Sequence, residues 1–255
     1  DVMKESATIA HEWVMAHHAE LGINPEVFEK NDIKTKIWLF DHNYNYDDKA
    51  DQQDYPLHIL ADKEAAKYIA GSAWHNYGGH PSTLDGIHAA YPEKEIFFTE
   101  ASIGSWNYNF DGCLLWDFSN IFLGTLNRYG RGVTLWNLIL DDKGAPNRPG
   151  GCRTCFGAIE ISSEDYSYAS LNRKSHYYNI VHCSKVVKQD AFRVATQESL
   201  PEGVQMTAFR NPDSSLAVVA VNRSEQQQDV VVRGAKREFT LTIPARSIAS
   251  ARWEE

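Results

Sequence analysis

The chain has 255 residues, which suffices for one large domain or for two smaller domains that each bury a core. Charged residues make up 23% of the chain and hydrophobic residues 43%, a composition typical of globular proteins. The net charge is −9 and no run of Lys or Arg exceeds a pair, so no nucleic acid partner is expected. No apolar run approaches the roughly 20 residues of a transmembrane helix, and we therefore expect no membrane span.

The first predicted element is an amphipathic helix over about Lys4–Glu20, in which Ile9, Trp13 and Val14 recur at helical spacing. This N-terminal stretch has no signal-peptide pattern. We therefore expect the chain to begin inside a folded region.

Strand-like and helical segments then alternate along the chain. Strands are predicted at 35–43, 71–79, 95–101 and 132–140. Helical patterns precede the last three strands, at 62–70, Thr83–Tyr91 and Leu114–Arg128. Four such β/α units in a row predict a parallel sheet that is covered by helices.

The character of the sequence changes after the Gly- and Pro-rich segment 141–151. One helical pattern remains at 173–187, and short alternating segments separated by turns such as 211–213 follow it. This pattern predicts an antiparallel β-sandwich. The predicted fold class is α/β plus β, with a parallel α/β unit at 1–155 and a helix followed by a sandwich at 156–255.

Polar and aromatic residues stand at the end of every predicted parallel strand. In α/β barrels the active site lies at the C-terminal ends of the strands, so side chains at these positions are candidates for function. They are Asp41, His42 and Asn43; His75, Asn76 and Tyr77; Glu100; and Trp136 and Asn137, with Asp141, Asp142 and Asn147 in the loop beyond.

Glu100 is the most informative of these residues. The segment EIFFTEASIGSW, residues 95–106, runs from an apolar strand directly into this carboxylate, which is costly to bury unless it has a use. Carboxylates mixed with Trp, Tyr, Asn and His suit a carbohydrate ligand. P-loop, GxGxxG and GxSxG motifs are absent, so no cofactor is expected. Metal binding by Asp41, His75 and Glu100 is the competing interpretation, but the sequence has no HExxH or comparable spacing.

Cys152 and Cys155 form a single CxxC in a loop, without a second pair to complete a zinc ribbon. A local disulfide and two free thiols are both open, and a zinc site is not expected.

From Lys34 to its end, the chain resembles glycoside hydrolase family 30, which includes glucosylceramidases and microbial endo-β-1,6-glucanases. SAWHNYGG is similar to the family's HWY strand, FFTEASIG to its nucleophile strand, and LWNLILDDKGAPN to the following WNL…GGPN segment. HYYNIVHCSKVVKQDAFRV and LAVVAVNRS resemble the family's linker helix and sandwich. The resemblance implies the last four β/α units of a (β/α)8 barrel followed by a β-sandwich.

The resemblance also implies roles for individual residues. Glu100 corresponds to the nucleophile of a retaining β-glycosidase, whose second carboxyl lies roughly 5 Å away; an ion-paired structural glutamate is the alternative. His75 and Tyr77 would line the sugar pocket, with Tyr77 donating to Glu100, and Trp136 would be the aromatic platform under the sugar. The remaining candidates for contact with the substrate are Asp41, Trp106, Asn137 and Asn147.

One element of the family pattern is missing from this sequence. The family's acid/base glutamate lies in an Asn-Glu-Pro segment on the fourth barrel strand, and no such segment occurs here. We therefore expect the N-terminal half of the barrel upstream or on another chain, and this chain alone to be inactive or nearly so. Asp41 is a conceivable but less favoured replacement acid.

The substrate is expected to be a β-glucan, with endo-β-1,6-glucanase activity favoured. Asn76 replaces the tryptophan of HWY, Gly78 and Gly79 follow, and the loop GGCRTCFG (150–157) is reminiscent of β-1,6-glucanase members. Glucosylceramidase or β-glucosidase activity on a glucosyl lipid or glucoside is the nearest alternative. A non-catalytic carbohydrate-binding protein is an alternative of another class. Such substrates imply an extracellular or periplasmic location.

Overall fold

The computed structural model describes residues 36–44, 54–196, 199–234 and 236–254. The helix predicted at Lys4–Glu20 lies outside the described residues. Within them, a parallel α/β portion precedes an antiparallel β-module, as the sequence predicts.

Four strands pair in parallel, in chain order. They are β1 (Ile37–Asn43), β2 (Ile69–His75), β3 (Glu95–Glu100) and β5 (Gly130–Val133), with the two-residue strand β4 (Ile103–Gly104) after β3. Trp74 and Phe98 are fully buried in a core that includes helix residues such as Leu84. Burying each such side chain contributes about 1.5–3 kcal/mol. The helices provide the apolar surface that buries this face of the sheet.

Five short α-helices accompany the sheet in the described ranges up to β5. They are α1 (Tyr55–Ala61), α2 (Lys63–Ala66), α3 (Thr83–Ala90), α4 (Phe110–Asp117) and α5 (Gly124–Leu126), with a π-helix at Phe118–Leu123. Helix α4 begins earlier than predicted because the side chain of Asn109 accepts a hydrogen bond from the backbone N–H of Gly112.

The helix predicted at 62–70 is too long. The Asp62 side chain caps α2, which ends at Ala66, and Ile69 already pairs with Ile37 of β1. Gly71 then lies so close to β3 that a Cβ there would approach the carbonyl oxygen of Glu95 to 2.1 Å. Pairing between strands that are distant in sequence therefore overrides the local helical propensity.

The single strand predicted at 132–140 is also wrong, because the structure divides it. β5 ends at Val133, and the next strand, β6 (Ile139–Asp141), belongs to a separate sheet with β8 (Ile159–Ile161) and β9 (Asn172–Arg173). Asn137 has a positive φ of 68°, which turns the chain away from the parallel sheet.

The antiparallel module consists of two sheets. After α6 (Ser175–Ser184), the strands β10 (Phe192–Val194), β11 (Val204–Arg210), β12 (Leu216–Asn222) and β15 (Ser247–Trp253) form one sheet, and β13 (Gln228–Arg233) and β14 (Glu238–Ile243) form a hairpin. The core between the two sheets includes Val204, Ala220, Val230 and Ile243.

A second, larger core joins this module to the parallel sheet. Val219 and Val221 on β12 share one buried cluster with Phe118 and Phe122 of the π-helix and with Phe98 of β3. Because alternate residues of a strand face opposite sides, β12 contributes to both cores and is buried on both faces. In the described part of the chain, no helix is long and apolar enough to cross a membrane.

Candidate active site

Two strand irregularities shape the C-terminal edge of the parallel sheet. The register between β1 and β2 shifts between Phe40 and His42, so Asp41 is an extra residue, with φ of 53°. The register between β2 and β3 shifts after Trp74, so Thr99 is skipped before Glu100 pairs with His75. Bulges of this kind re-aim side chains near active sites, and these two lie on either side of the end of β2.

The two bulged residues meet in front of His75. Oδ1 of Asp41 accepts a hydrogen bond of 2.7 Å from the Thr99 hydroxyl. The same oxygen lies 3.1 Å from Nε2 of His75. Because a carboxylate can only accept, Nε2 carries the hydrogen. Asp41 therefore fixes the orientation and tautomer of His75, and an oxygen that already accepts twice suits an orienting role better than that of a proton donor.

Glu100 is contacted by the side chain of Tyr77, which follows the end of β2. The Tyr77 hydroxyl donates to Oε1 of Glu100 at 3.2 Å and lies 2.8 Å from the Ser102 hydroxyl. If Ser102 donates to the phenol oxygen, the one phenol proton is free to point at Glu100. Burial, together with the nearby Glu100 carboxylate, raises the pKa of Tyr77 to about 12. The phenol therefore stays a neutral donor at physiological pH.

Asn43 positions the segment that carries Tyr77. Its buried side chain accepts a hydrogen bond of 3.1 Å from the backbone N–H of Tyr77. Sequence reasoning placed Asn43 among the strand-end candidates without a specific role, and it did not single out Thr99 or Ser102. The alternation of a strand could have indicated Ser102, because a residue two positions after Glu100 lies on the same side of an extended chain.

Trp136 lies beside the Glu100 segment through a backbone contact, whereas Asn137 pairs with Ala158. The N–H of Trp136 donates to the carbonyl of Ala101 at 2.8 Å, and its ring is 39% exposed. The carbonyl of Asn137 accepts from the N–H of Ala158 at 3.0 Å. The structure thus leaves the Trp136 side chain accessible, whereas the Asn137 backbone is paired with the residue that precedes β8.

Asn147 lies in the loop after β6, and Trp106 follows β4. The side-chain amide of Asn147 donates to the carbonyl of Cys152 at 2.5 Å, within its own loop. Trp106 is an exposed residue after β4 whose ring packs on Gly104. Direct contacts connect Glu100 with Tyr77, and Asp41 with His75, whereas Asn147 and Trp106 belong to a neighbouring loop cluster.

Cys152 and Cys155 form a disulfide with an S–S distance of 2.10 Å, which decides between the two states that the sequence left open. No group of three or more His, Cys, Asp or Glu side chains within the described ranges is placed to hold a metal ion. The described site brings together a carboxylate, a neutral phenol donor and exposed aromatic rings.

Fold and site together define a class: a portion of a (β/α)8 barrel with a carboxylate at the C-terminal end of a strand, joined to a β-sandwich. The chain belongs to glycoside hydrolase family 30. Residues 23–187 match the profile described as "Glycosyl hydrolase family 30 TIM-barrel domain", and residues 190–251 match "Glycosyl hydrolase family 30 beta sandwich domain".

Individual relatives agree with this assignment. Endo-1,6-beta-D-glucanase BGN16.3 of Trichoderma harzianum is 30% identical over 231 residues, which cover 86% of this chain and 42% of that protein. The lysosomal acid glucosylceramidase of Mus musculus is 28% identical over 205 residues, covering 76% and 39%. The solved structure of the endo-beta1,6-glucanase BT3312 superposes with a TM-score of 0.84 at 44% identity, covering 91% of this chain and 51% of that one. The chain thus spans about half the length of these relatives.

Proposed function

We propose that the protein containing this chain is a retaining β-glycoside hydrolase that acts on β-glucan as an endo-β-1,6-glucanase, with Glu100 as its nucleophile. The observation that carries the proposal is the 3.2 Å hydrogen bond from Tyr77 to Glu100 at the C-terminal edge of the parallel sheet. It holds one carboxylate in place with a donor that remains protonated at physiological pH.

In the proposed reaction the Glu100 carboxylate attacks the anomeric carbon and forms a glycosyl ester, while a second carboxyl protonates the leaving oxygen. Water, activated by that second group, then releases the sugar and regenerates the carboxylate. Tyr77 limits the rotation of Glu100 and stabilises its charge before the attack. The second carboxyl is proposed to come from the N-terminal half of the barrel, upstream or on another chain, because this sequence has no Asn-Glu-Pro segment.

The substrate contacts are proposed from exposure and position. The accessible ring of Trp136 can accept the C–H face of a pyranose, as aromatic faces do with apolar surfaces. His75, held by Asp41, is proposed to donate to or accept from a sugar hydroxyl. The outer contacts with the substrate are proposed to come from Asn137, Asn147 and Trp106. We also propose that the chain divides into a barrel portion at 1–155 and a linker helix with a sandwich at 156–255.

The preference for a β-1,6-linked glucan is supported by the 44% identity to the endo-beta1,6-glucanase BT3312 and by the 30% identity to the Trichoderma harzianum enzyme. Glucosylceramidase or β-glucosidase activity is the second candidate, supported by the 28% identity to the mouse lysosomal glucosylceramidase. A carbohydrate-binding protein without catalysis is the third, because this sequence contains no Asn-Glu-Pro segment to supply the acid/base group. A disulfide suits an extracellular or periplasmic location.

The test uses the full-length protein that contains this chain. It is incubated with the β-1,6-glucan pustulan and with glucosylceramide, and then with an activated 2-fluoro-glucoside that traps the glycosyl ester. We expect gentio-oligosaccharides from pustulan alone, and mass spectrometry should locate the label on Glu100. Hydrolysis of glucosylceramide alone would favour the second candidate. Binding of pustulan without cleavage would favour the third, and a label on another residue would exclude Glu100 as the nucleophile.

A further inference from the structure

The loop closed by the Cys152–Cys155 disulfide is attached to the chain segment that leaves Glu100. Strand β7 (Cys155–Phe156) pairs with β4, so that Ile103 faces Phe156 and Gly104 faces Cys155. The N–H of Ser105 adds a hydrogen bond of 2.9 Å to the carbonyl of Thr154. The two segments are therefore connected through their backbones.

The contact is too close for any side chain at position 104. A Cβ on Gly104 would lie 2.4 Å from the Thr154 carbonyl oxygen and 1.9 Å from a ring carbon of Trp106. The indole of Trp106 thus covers the glycine at the point where the disulfide loop meets β4. Because the loop and the indole meet at Gly104, a displacement of the loop would change the support beneath the Trp106 ring.

The disulfide also fixes the group that holds Asn147. The carbonyl of Cys152 accepts the side-chain amide of Asn147 at 2.5 Å, and the disulfide ties the same residue to Cys155 three positions later. The chain-entropy effect of so short a closed loop is among the smallest that a disulfide provides. The link therefore restricts local geometry more than it stabilises the whole fold.

A largely buried lysine holds the other side of β7. The side chain of Lys174 is 13% exposed, forms an ion pair of 3.2 Å with Glu160, and places its ammonium group 5.0 Å from the centre of the Phe156 ring. The same group lies 5.8 Å from the Tyr108 ring, which packs edge-on against Phe156. Cation–π contacts of this kind are stronger when the cation is shielded from water, so β7 is fixed on both sides.

We propose that the Cys152–Cys155 disulfide is a positioning element that holds Asn147 and Trp106 where they contact glucan units beyond the sugar attacked by Glu100. Gly104 is four residues from Glu100, so at most about 13 Å of extended chain separates them, and this reach allows the loop to contact a sugar next to the reacting one. The inference rests on the proposed glucanase function.

The experiment compares two substrates in the full-length protein. The variant Cys152→Ser/Cys155→Ser removes the link, and Cys113→Ser, which removes a free cysteine, is the matched control. Loss of one or two hydrogen bonds between neutral groups should raise KM for pustulan about three- to tenfold, with kcat little changed. Hydrolysis of 2,4-dinitrophenyl β-glucoside, which carries a single sugar, should stay within about twofold of the parent because it does not reach the loop.

A double-mutant cycle with Asn147→Ala separates positioning from general stabilisation. Asn147→Ala alone, which leaves the disulfide intact, should raise KM for pustulan to a similar degree. Combining it with the serine pair should give less than the sum of the two effects, because both changes remove the positioned Asn147 amide and only the serine pair also releases Trp106. If the serine pair does not fold, Asn147→Ala still provides the comparison between polymer and single-sugar substrates.

The outcomes distinguish this inference from the proposed function. If the parent cleaves pustulan and the variants affect both substrates in parallel, or neither, the positioning role is wrong and the glucanase function stands. Fully additive effects in the cycle would also contradict the positioning role. If the parent cleaves neither substrate, the proposed function fails and this inference fails with it.

Discussion

The phenol oxygen of Tyr77 lies 3.2 Å from Oε1 of Glu100 and 2.8 Å from the hydroxyl of Ser102. Tyr77 and Glu100 are 23 residues apart and come from the ends of adjacent parallel strands, β2 and β3. The Tyr77 hydroxyl thus joins the loop after β2 to the segment after β3. All variants considered below are made in the full-length protein that contains this chain.

Replacing Tyr77 by Phe should lower kcat for pustulan by about ten- to a hundredfold, because hydrogen bonds to charged groups contribute about 1.5–3 kcal/mol. The ring stays in place and is half exposed, so the thermal midpoint should change little. Steady-state kinetics and a thermal melt provide the measurement. The control is Tyr178→Phe, at a surface ring on α6, which should keep the parent rate. Parent-like kcat in Tyr77→Phe would show that Glu100 does not depend on this donor.

Replacing Thr99 by Val should lower kcat/KM by about three- to tenfold, because it removes one hydroxyl donor to Asp41 at nearly constant shape. Asp41 then loses one of the two groups that fix it, and His75 is held less firmly. Thr99→Ser restores the hydroxyl and should recover most of the activity. Equal losses in the Val and Ser variants would mean that packing, rather than the hydrogen bond, matters at this position.

Replacing Gly71 by Ala should destabilise the fold by about 3 kcal/mol, since the new methyl group would overlap the backbone of Glu95 and separate β2 from β3. Gly86 on α3 is the matched control because a Cβ there meets no atom within 4 Å. Gly86→Ala should stabilise the protein by about 0.5–1 kcal/mol. Chemical denaturation measures both changes, and equal effects of the two substitutions would contradict the register between β2 and β3.

Replacing Glu95 by Gln should destabilise the fold by about 1–3 kcal/mol at neutral pH. The nearly buried carboxylate accepts from Lys36 at 2.5 Å, from the Trp38 indole at 3.1 Å and from Arg131 at 2.8 Å. Burial acts to raise the pKa of Glu95, but the hydrogen bonds of Lys36 and Trp38 outweigh it and leave the pKa below its ordinary value. The control Glu64→Gln, at an exposed ion pair, should change stability by less than about 0.5 kcal/mol.

The pH dependence of the same pair provides a second measurement. The pKa of Glu95 is lower in the folded state than in the unfolded state. The contribution of Glu95 to the free energy of unfolding is therefore present above the ordinary glutamate pKa, and it is lost as the pH falls through the pKa of the folded state. The free energy of unfolding of the parent should therefore decrease in acid more steeply than that of Glu95→Gln. Parallel acid curves would show that Glu95 is not ion-paired in solution.

Because of Tyr44, we expect the free energy of unfolding to decrease in alkali. Burial raises the pKa of Tyr44 to about 12, above the value near 10 of an unfolded tyrosine. The stability that the neutral Tyr44 hydroxyl contributes is therefore complete below about pH 10, and it is lost as the pH rises towards the pKa of the folded state. In Tyr44→Phe the unfolding free energy should decrease less steeply over this pH range. This difference in slope is expected whether or not the variant and the parent are equally stable at pH 8. An unchanged slope would contradict the burial of the hydroxyl.

Much of the architecture could be predicted from local patterns. The alternation of helices and strands indicated the parallel sheet, and the apolar run before Glu100 located the end of β3. Where local preference and pairing conflicted, prediction failed. Residues 67–70 continue a helical pattern, but Ile69 and Ala70 already belong to β2, which pairs with β1. The apolar stretch after Val133 is bent out of the sheet at Asn137.

The sequence by itself determined which carboxylate ends an apolar strand and which residues follow it, because the period of a strand and its terminal polar residues are local properties. Only the tertiary structure decided that Asp41 and Thr99 bulge towards each other, that Ser102 shares the phenol of Tyr77, and that a disulfide loop rests on Gly104. Those contacts join residues that are distant in the chain, and their geometry depends on register shifts between strands that no local pattern specifies.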